Sequence, residues 1–108
     1  MNKILIFTAT YNEKENIKYL IESLNELNLD IDILVIDDNS PDKTWEILSR
    51  LEKETLNLKV IVRDHKSGLD TAHKLAFNYA KKHKYERFIS MDADLSHDPN
   101  EIPKMLDI

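Results

Sequence analysis

Short apolar runs alternate with longer amphipathic segments along the whole chain. Four runs rich in Ile, Leu, Val and Phe are continuous enough to be buried on both faces, which is typical of strands in a parallel sheet. The segments between them repeat apolar residues at spacings of three and four, which predicts helices. The predicted strands cover residues 3–8, 31–37, 58–62 and 88–91.

Capping residues predict where the helices begin. Asn12 fits the N-cap of a first helix, and Ser40, which is followed by proline, fits that of a second. A third helix follows Gly68, and Asp98 opens a short last one. The order β-α-β-α-β-α-β-α predicts an α/β architecture: a Rossmann-like, doubly wound, mostly parallel sheet with helices on both faces.

Composition narrows the possible functions. The 108 residues suffice for one domain, and we expect a single domain over residues 1–108. The absence of cysteine excludes a disulfide scaffold, a thiolate zinc site and a cysteine nucleophile. The net charge of −5 argues against a nucleic-acid binder, and no apolar run is long enough to span a membrane. The expected location is the cytoplasm or the cytoplasmic face of a membrane.

Carboxylates collect where three of the predicted strands end. Glu13 follows the first strand, Asp37 and Asp38 close the second, and Asp92 and Asp94 follow the fourth. The carboxyl ends of parallel strands meet at one edge of the sheet, and ligands bind there, where the strand order reverses. We therefore expect these five carboxylates to share one crevice. Because like charges repel, a bound divalent cation is the simplest explanation for such a cluster.

Asp92 and Asp94 are separated by one small residue, Ala93. In an extended segment alternate side chains point to the same side, so the two carboxylates would face the same way. Such a pair suits Mg²⁺ or Mn²⁺, whose open positions then suit a diphosphate. An isolated Asp-x-Asp is more often an ordinary turn, so the position at a strand end carries the interpretation.

Several candidate residues also have ordinary structural explanations. Asp38 either recognises a nucleoside or simply ends its strand, and Tyr11 either stacks on a base or packs at the rim. Glu13 either belongs to the site or stabilises the positive end of the first helix. The histidines lack metal-ligand spacing; three are interpreted as surface residues and the last is left open: His65, His73, His83 and His97.

Three segments, taken together, resemble the family-2 glycosyltransferases of GT-A fold. They read TYNEKENI (residues 10–17), DDNSPDKT (37–44) and MDADLSHDP (91–99). The resemblance is strongest to the dolichyl-phosphate and polyprenyl-phosphate mannosyltransferases. It implies inverting transfer of a sugar from a nucleoside-diphosphate sugar, such as GDP-mannose or UDP-glucose, with Mg²⁺ or Mn²⁺ as cofactor and a polyprenyl phosphate as acceptor.

The resemblance also implies roles for individual residues. Asp94 is expected to be catalytic and, with Asp92 and Ser96, to hold the metal, while Arg63 and Lys66 fit a basic segment after the third strand. The residues expected to contact the nucleotide are Ala9, Tyr11, Glu13, Ile36, Asp38, Asp92 and Ala93. The acceptor half of such enzymes follows the Asp-x-Asp, so we expect this chain to be a donor-binding half, weakly active or inactive alone.

Two alternatives remain open at this stage. A non-catalytic assembly module of the same fold would form homo-oligomers through the uncovered edge of the sheet. A response-regulator-like receiver also has a strand that ends in paired aspartates, as Asp37 and Asp38 do here. The receiver is the weaker alternative, because no fifth strand with a lysine follows.

Overall fold

A parallel sheet of four strands forms the centre of the described part of the molecule. The computed structural model describes residues 4–64 and 68–91. The strand order is β3-β2-β1-β4, with every neighbouring pair parallel. This confirms the predicted α/β architecture. The elements are β1 (Ile4–Thr10), α1 (Ile17–Asn25), β2 (Ile31–Asp37), α2 (Thr44–Glu54), β3 (Leu58–Val62), α3 (Leu69–Lys82) and β4 (Arg87–Ser90).

Apolar side chains cover both faces of the sheet. Alternation along β1 sends Ile6 into the core under α1 and α2 and Phe7 into the core under α3. The α3 side uses alanine at the contact, which lets the helix approach the sheet closely; these residues are Ala72, Ala76 and Ala80. The helices therefore lie on both faces, as the sequence predicts.

The strand order reverses between β1 and β4. Thr10 is paired with Asp37, and Asp37 with Val62, so β1, β2 and β3 end at one level. The last pair of β4 joins Ser90 to Phe7, so β1 continues beyond β4 at this edge. Ligands of doubly wound sheets bind at such a reversal, beyond the carboxyl ends of the strands. The predicted last helix, which begins near Asp98, lies outside the described residues.

The capping residues predict the wrong start for each of the first two helices. α1 begins at Ile17 instead of after Asn12, and α2 begins at Thr44 instead of after Ser40. Asn12 and Ser40 instead make hydrogen bonds that join the two loops preceding these helices. A side chain engaged across loops is not available to cap its own helix.

Asparagine takes the place of glycine in several tight turns. Asn12, Asn28 and Asn39 have φ angles of 59°, 56° and 55°, in the left-handed region that asparagine tolerates better than most residues. The single glycine, Gly68, has φ 94° directly before α3. These asparagines allow the turns to form in a chain with one glycine.

β4 forms one edge of the sheet. Among the described residues it pairs with β1 alone. Phe77 of α3 packs edge-on against Phe88 of β4 and is 57% exposed. The expected pairing of two copies through this edge stays a prediction. Within residues 4–64 and 68–91, no helix has the length and apolar character needed to cross a bilayer.

Two histidines that the sequence analysis placed at the surface are half-buried. His73 packs edge-on against Phe7, with ring centroids 5.2 Å apart. The ring centroids of His83 and Tyr79 are 4.2 Å apart. His73 lies in α3 on the side that faces Phe7, and His83 directly follows the last residue of α3 and packs on Tyr79, which explains this burial. His65 and His97 lie outside the described residues.

A half-buried tyrosine lies at the amino end of the sheet. Tyr85 Oη donates a hydrogen bond to Asp32 Oδ2 at 2.5 Å. Burial, followed by this hydrogen bond and the negative charge of Asp32, raises the pKa of Tyr85 above its ordinary value of 10.0. The folded chain therefore keeps this proton at pH values where the unfolded chain has released it.

Tyr85→Phe should make stability less sensitive to alkaline pH. The raised pKa contributes stability that is fully present below pH 10.0 and is lost as the pH rises further. Urea unfolding from pH 8 to about 11.5 should show a smaller fall in unfolding free energy for Tyr85→Phe than for the wild type. Tyr19→Phe is the control, because Tyr19 is 60% exposed. Equal falls for Tyr85→Phe and the wild type would contradict this assignment.

Candidate functional site

Two loops leave the carboxyl edge of the sheet side by side. The first loop, residues 11–16, joins β1 to α1, and the second loop, residues 38–43, joins β2 to α2. The backbone N–H of Asp38 donates to the carbonyl oxygen of Thr10 at 3.2 Å, which continues the β1–β2 pairing into the loops. The two loops are therefore in contact from their first residues.

Asp37 closes β2 and has no exposed surface. Its Oδ1 accepts hydrogen bonds from Thr10 Oγ1 and Ser40 Oγ, each at 2.6 Å, and its Oδ2 accepts from the Ser40 backbone N–H at 3.0 Å. Asp37 alternates with Val35, so it faces the core under α1 and α2. The prediction that Asp37 shares the ligand crevice is therefore wrong: this carboxylate is buried and hydrogen-bonded within the protein.

Asp38 lies on the opposite side and forms an ion pair with Arg63. Arg63 Nε donates to Asp38 Oδ1 at 2.5 Å, and Nη2 donates to Oδ2 at 2.8 Å. Arg63 Nη1 also donates to Thr71 Oγ1 at 2.8 Å, and Nη2 to the Gly68 carbonyl at 3.1 Å. This two-pronged pair fixes the plane of the Asp38 carboxylate and ties it to the start of α3.

Three consecutive backbone N–H groups of the first loop donate to side chains at or just after the second loop. A fourth hydrogen bond runs in the opposite direction. We call these four bonds the loop clasp. They join Asn12 N to Ser40 Oγ at 3.0 Å, Glu13 N to Thr44 Oγ1 at 3.1 Å, Lys14 N to Asp42 Oδ2 at 3.1 Å, and Asp42 N to Asn12 Oδ1 at 3.2 Å.

Asp42 lies at the centre of the loop clasp. Its Oδ1 accepts from Thr44 Oγ1 at 2.5 Å and from the Thr44 backbone N–H at 3.0 Å. Burial disfavours the charged form, but these hydrogen bonds, the bond from Lys14 and the positive charge of Lys14 together lower the pKa of Asp42 below its ordinary 3.8. The carboxylate is therefore ionised, and able to accept all these bonds, at neutral pH.

The loop clasp bears directly on where a phosphate can bind. In many α/β nucleotide-binding proteins, backbone N–H groups after the first strand hold the phosphates. Here the N–H groups of residues 12–14 already donate to protein oxygens. These three N–H groups are therefore not available to a phosphate in this structure.

The structure places two of the predicted nucleotide contacts in the first loop. Tyr11 is 37% exposed at its start. Glu13 is half-buried, and its Oε2 accepts a hydrogen bond from Asn16 Nδ2 at 3.3 Å. Both residues lie within three positions of the end of β1 and are therefore at the edge where the strand order reverses.

Ala9 and Ile36 lie within the sheet rather than in the loops. Ala9 is half-buried and packs against the core under α3. Ile36 has no exposed surface, so its side chain serves the core and holds the end of β2, from which Asp38 projects.

The predicted metal and diphosphate residues lie outside the described residues. The last described residue here is Met91, whose N–H donates to the Phe7 carbonyl at 3.0 Å. Within residues 4–64 and 68–91, no group of three His, Asp or Glu side chains could hold a metal ion. The predicted roles of Asp92, Asp94 and Ser96 at a metal and of Ala93 at the nucleotide therefore stay predictions.

Sequence reasoning missed the Asp38–Arg63 pair and the loop clasp. Arg63 was noted only as a basic residue after the third strand, and its partner lies 25 residues away. Asp42 follows Ser40 and Pro41, from which the sequence predicts a helix start, and no role is predicted for its side chain. The spacing of Asp42 and Thr44, two residues apart, was the available signal, since such pairs commonly form local hydrogen bonds.

Sequence comparison relates the chain to known enzymes. Glycosyl transferase family 2 matches residues 5–108. The dolichol-phosphate mannosyltransferase of Pyrococcus furiosus is 37% identical over 97% of this chain and 29% of its own length. The polyprenol monophosphomannose synthase of Mycolicibacterium smegmatis is 33% identical over 97% of this chain and 40% of its own length. The chain thus spans less than half the length of these curated relatives.

Solved structures share the fold. The mannosyltransferase PcManGT from Pyrobaculum calidifontis, in complex with GDP-Man and Mn²⁺, has a TM-score of 0.71 and 22% identity over 86% of this chain and 28% of that chain. TarS of S. aureus, residues 1–349, has a TM-score of 0.76 and 25% identity over 97% of this chain and 31% of that chain. The GT-A fold implied by the sequence is confirmed, and the receiver-like alternative loses its support. Because the family matches nearly the whole length of this chain, the chain belongs to glycosyl transferase family 2.

Proposed function

We propose that this chain binds the nucleoside-diphosphate sugar of a hexosyltransferase, together with a divalent metal ion. The observation that carries the proposal is the arrangement at the carboxyl edge of the sheet. The first loop leaves β1, with the Asp38–Arg63 pair at the ends of β2 and β3 on one side and β4, the strand that leads into the Asp-x-Asp, on the other. Residues 1–108 act in it as one donor-binding domain. The names of the relatives favour mannose as the sugar and a polyprenyl phosphate as the acceptor.

The nucleoside is proposed to lie on the first loop and against Asp38. The exposed ring of Tyr11 offers a stacking surface for a base. Glu13 and Asp38 offer carboxylate oxygens to hydroxyl or N–H donors of the nucleoside. Arg63 holds Asp38 in one orientation before the ligand arrives, so less conformational freedom is lost on binding.

The diphosphate end is proposed to lie over the Asp-x-Asp segment. Asp92, Asp94 and Ser96 would hold Mg²⁺ or Mn²⁺, and their carboxylate and hydroxyl oxygens are the ligand type that these hard cations prefer. Asp92 and Ala93 would also contact the nucleotide. The bound cation would stabilise the charge on the departing nucleoside diphosphate. The occupied N–H groups of the first loop favour this arrangement, because they leave the diphosphate no backbone cradle there.

The proposed reaction inverts the anomeric centre, with Asp94 as the catalytic carboxylate beside the metal. A lipid phosphate acceptor is already ionised near neutral pH and needs little general-base assistance. The chain covers 29% and 40% of the two enzymes described above, so we propose that it binds the donor and transfers sugar weakly or not at all by itself.

Calorimetric titration of GDP and of UDP into the folded chain tests this function. With Mn²⁺ present, at least one nucleotide should release heat of binding. EDTA should weaken binding by about tenfold or more, because the metal held by Asp92, Asp94 and Ser96 would contribute to binding of the diphosphate. Inorganic pyrophosphate is the matched control: it should bind more weakly than the nucleotide if the first loop and Asp38 recognise the nucleoside. No heat from either nucleotide, with folding verified by circular dichroism, would refute the proposal.

A further inference from the structure

The loop clasp joins the first loop, which is proposed to hold the nucleoside, to the second loop and the start of α2. The residues on this second side of the clasp are not proposed to contact any ligand. We infer that Ser40, Asp42 and Thr44 are positioning residues, which hold the first loop in the shape that receives the nucleoside. The inference rests on the proposed function, because it concerns the geometry of that same site.

The backbone of the first loop makes a left-handed turn at Asn12. Asn12 has φ 59°, a conformation that asparagine tolerates better than most residues do. The hydrogen bonds of the loop clasp hold Asn12 on both its backbone and its side chain. Asn12 stands between Tyr11 and Glu13, so its dihedral angles set the directions in which those two candidate contact residues leave the backbone.

Two separate routes fix this shape. Ser40 Oγ accepts from Asn12 N and at the same time donates to the buried Asp37 Oδ1, so one route runs from the core of the sheet to the loop. Thr44, the first residue of α2, accepts from Glu13 N, so the second route runs from a helix to the loop. The first loop is therefore held by Ser40, within the second loop, and by Thr44, which directly follows the second loop.

Thr44 plays two roles through one hydroxyl group. Its Oγ1 donates to Asp42 Oδ1 and accepts from Glu13 N. The hydroxyl thereby orients the Asp42 carboxylate, whose other oxygen accepts from Lys14 N. Removal of this one oxygen should weaken the bonds to two of the three N–H groups, while the side chain of Thr44 stays buried and well packed.

A loop fixed before binding loses less conformational freedom when the ligand arrives. Loss of the clasp should therefore weaken nucleotide binding without removing any group that touches the nucleotide. For a change of one hydroxyl that makes two hydrogen bonds, the expected weakening is about five- to tenfold.

Thr44→Val tests the inference, because valine keeps the branched shape and loses the hydroxyl. GDP and UDP affinity with Mn²⁺ is measured by calorimetry, and exchange of the N–H groups of residues 12–14 is measured by NMR without ligand. Thr44→Val should bind about five- to tenfold more weakly and exchange faster at Glu13. Thr44→Ser, which restores the hydroxyl, should return both values towards those of the wild type. Ser49→Ala is the control, since Ser49 lies on the exposed side of α2.

Each other outcome counts against the inference. If Thr44→Val binds as tightly as the wild type, the positioning role fails while the proposed function stands. If Thr44→Ser binds as weakly as Thr44→Val, side-chain packing rather than the hydroxyl is responsible. If the wild type binds neither nucleotide, the proposed function fails and takes the positioning role with it. Should Thr44→Val not fold, Asn12→Ala at the exposed position 12 decides instead, and unchanged affinity there would overturn the inference.

Discussion

Asp94→Ala should abolish the metal-dependent part of nucleotide binding. Its carboxylate is proposed to bind the cation directly, and the change leaves one carboxylate in the Asp-x-Asp segment. Loss of residues that only support a metal ligand lowers metal affinity by about 10- to 100-fold. Loss of a ligand itself should therefore lower metal affinity by about 100-fold or more. In calorimetry with Mn²⁺, the variant should bind GDP or UDP no better than the wild type does in EDTA.

Asp30→Ala is the matched control for this change. Asp30 is exposed and directly precedes β2, so it lies at the amino end of the sheet, away from the proposed site. The control removes one negative charge, as Asp94→Ala does, and should leave metal-dependent affinity unchanged. If Asp94→Ala binds the nucleotide with wild-type affinity in Mn²⁺, Asp94 does not belong to the metal site.

Asp37→Ala should lower the unfolding free energy by about 3–5 kcal/mol, because it leaves three donors without their acceptor in a buried place. The donors are Thr10 Oγ1, Ser40 Oγ and the Ser40 backbone N–H. The expected loss is a large share of the total stability of a domain of this size, which is about 5–15 kcal/mol. Urea unfolding followed by circular dichroism measures it.

A double-mutant cycle assigns part of this loss to one contact. Thr10→Val keeps the shape of Thr10 and removes its donor to Asp37. Combined with Asp37→Ala, it should cost at least about 1 kcal/mol less than the sum of the two single changes, since the partners share a hydrogen bond. Asp30→Ala should change stability by less than about 0.5 kcal/mol. A cost below about 1 kcal/mol for Asp37→Ala would contradict the buried role of this carboxylate.

The strands could be predicted from the sequence because each is a run of apolar residues that the sheet buries. Three ends within the described residues differ: β1 continues to Thr10 instead of ending at residue 8, and β4 runs from Arg87 to Ser90 instead of from residue 88 to residue 91. β1 is longer because its polar end residues remain paired with β2 as far as Asp37. Pairing with a neighbouring strand, rather than the apolar character of the residues, decides where these strands end.

The helix starts could not be predicted from local capping rules. Asn12, Ser40 and Asp42 are all residue types that cap helices well, and the rules see only their near neighbours in the chain. In the folded chain their partners lie about 30 residues away, in the other loop. Long-range hydrogen bonds thus engage these residues alongside local ones, such as those between Asp42 and Thr44, and both helices begin later than the capping rules predict.

The position of the candidate site could be predicted from the sequence, but the hydrogen bonds and the ion pair within it could not. The carboxyl edge of the sheet follows from the alternation of strands and helices, so the location of Tyr11, Glu13 and Asp38 was accessible from sequence. Adjacent aspartates, however, point to opposite sides of a strand. Asp37 is therefore buried and hydrogen-bonded within the protein, whereas Asp38 forms an ion pair with Arg63.

The strand order has a consequence for how the chain folds. Ile31 follows its partner Ile4 by 27 residues, whereas Arg87 follows the same Ile4 by 83 residues. Closing a loop three times as long costs about 1 kcal/mol more in chain entropy. During synthesis β1, β2 and β3 can associate, with α1 and α2 on one face, as soon as Val62 has emerged. We therefore expect β4 to be the last of the four described strands to join, so that the edge proposed to face the ligand is completed only after the other three strands have associated.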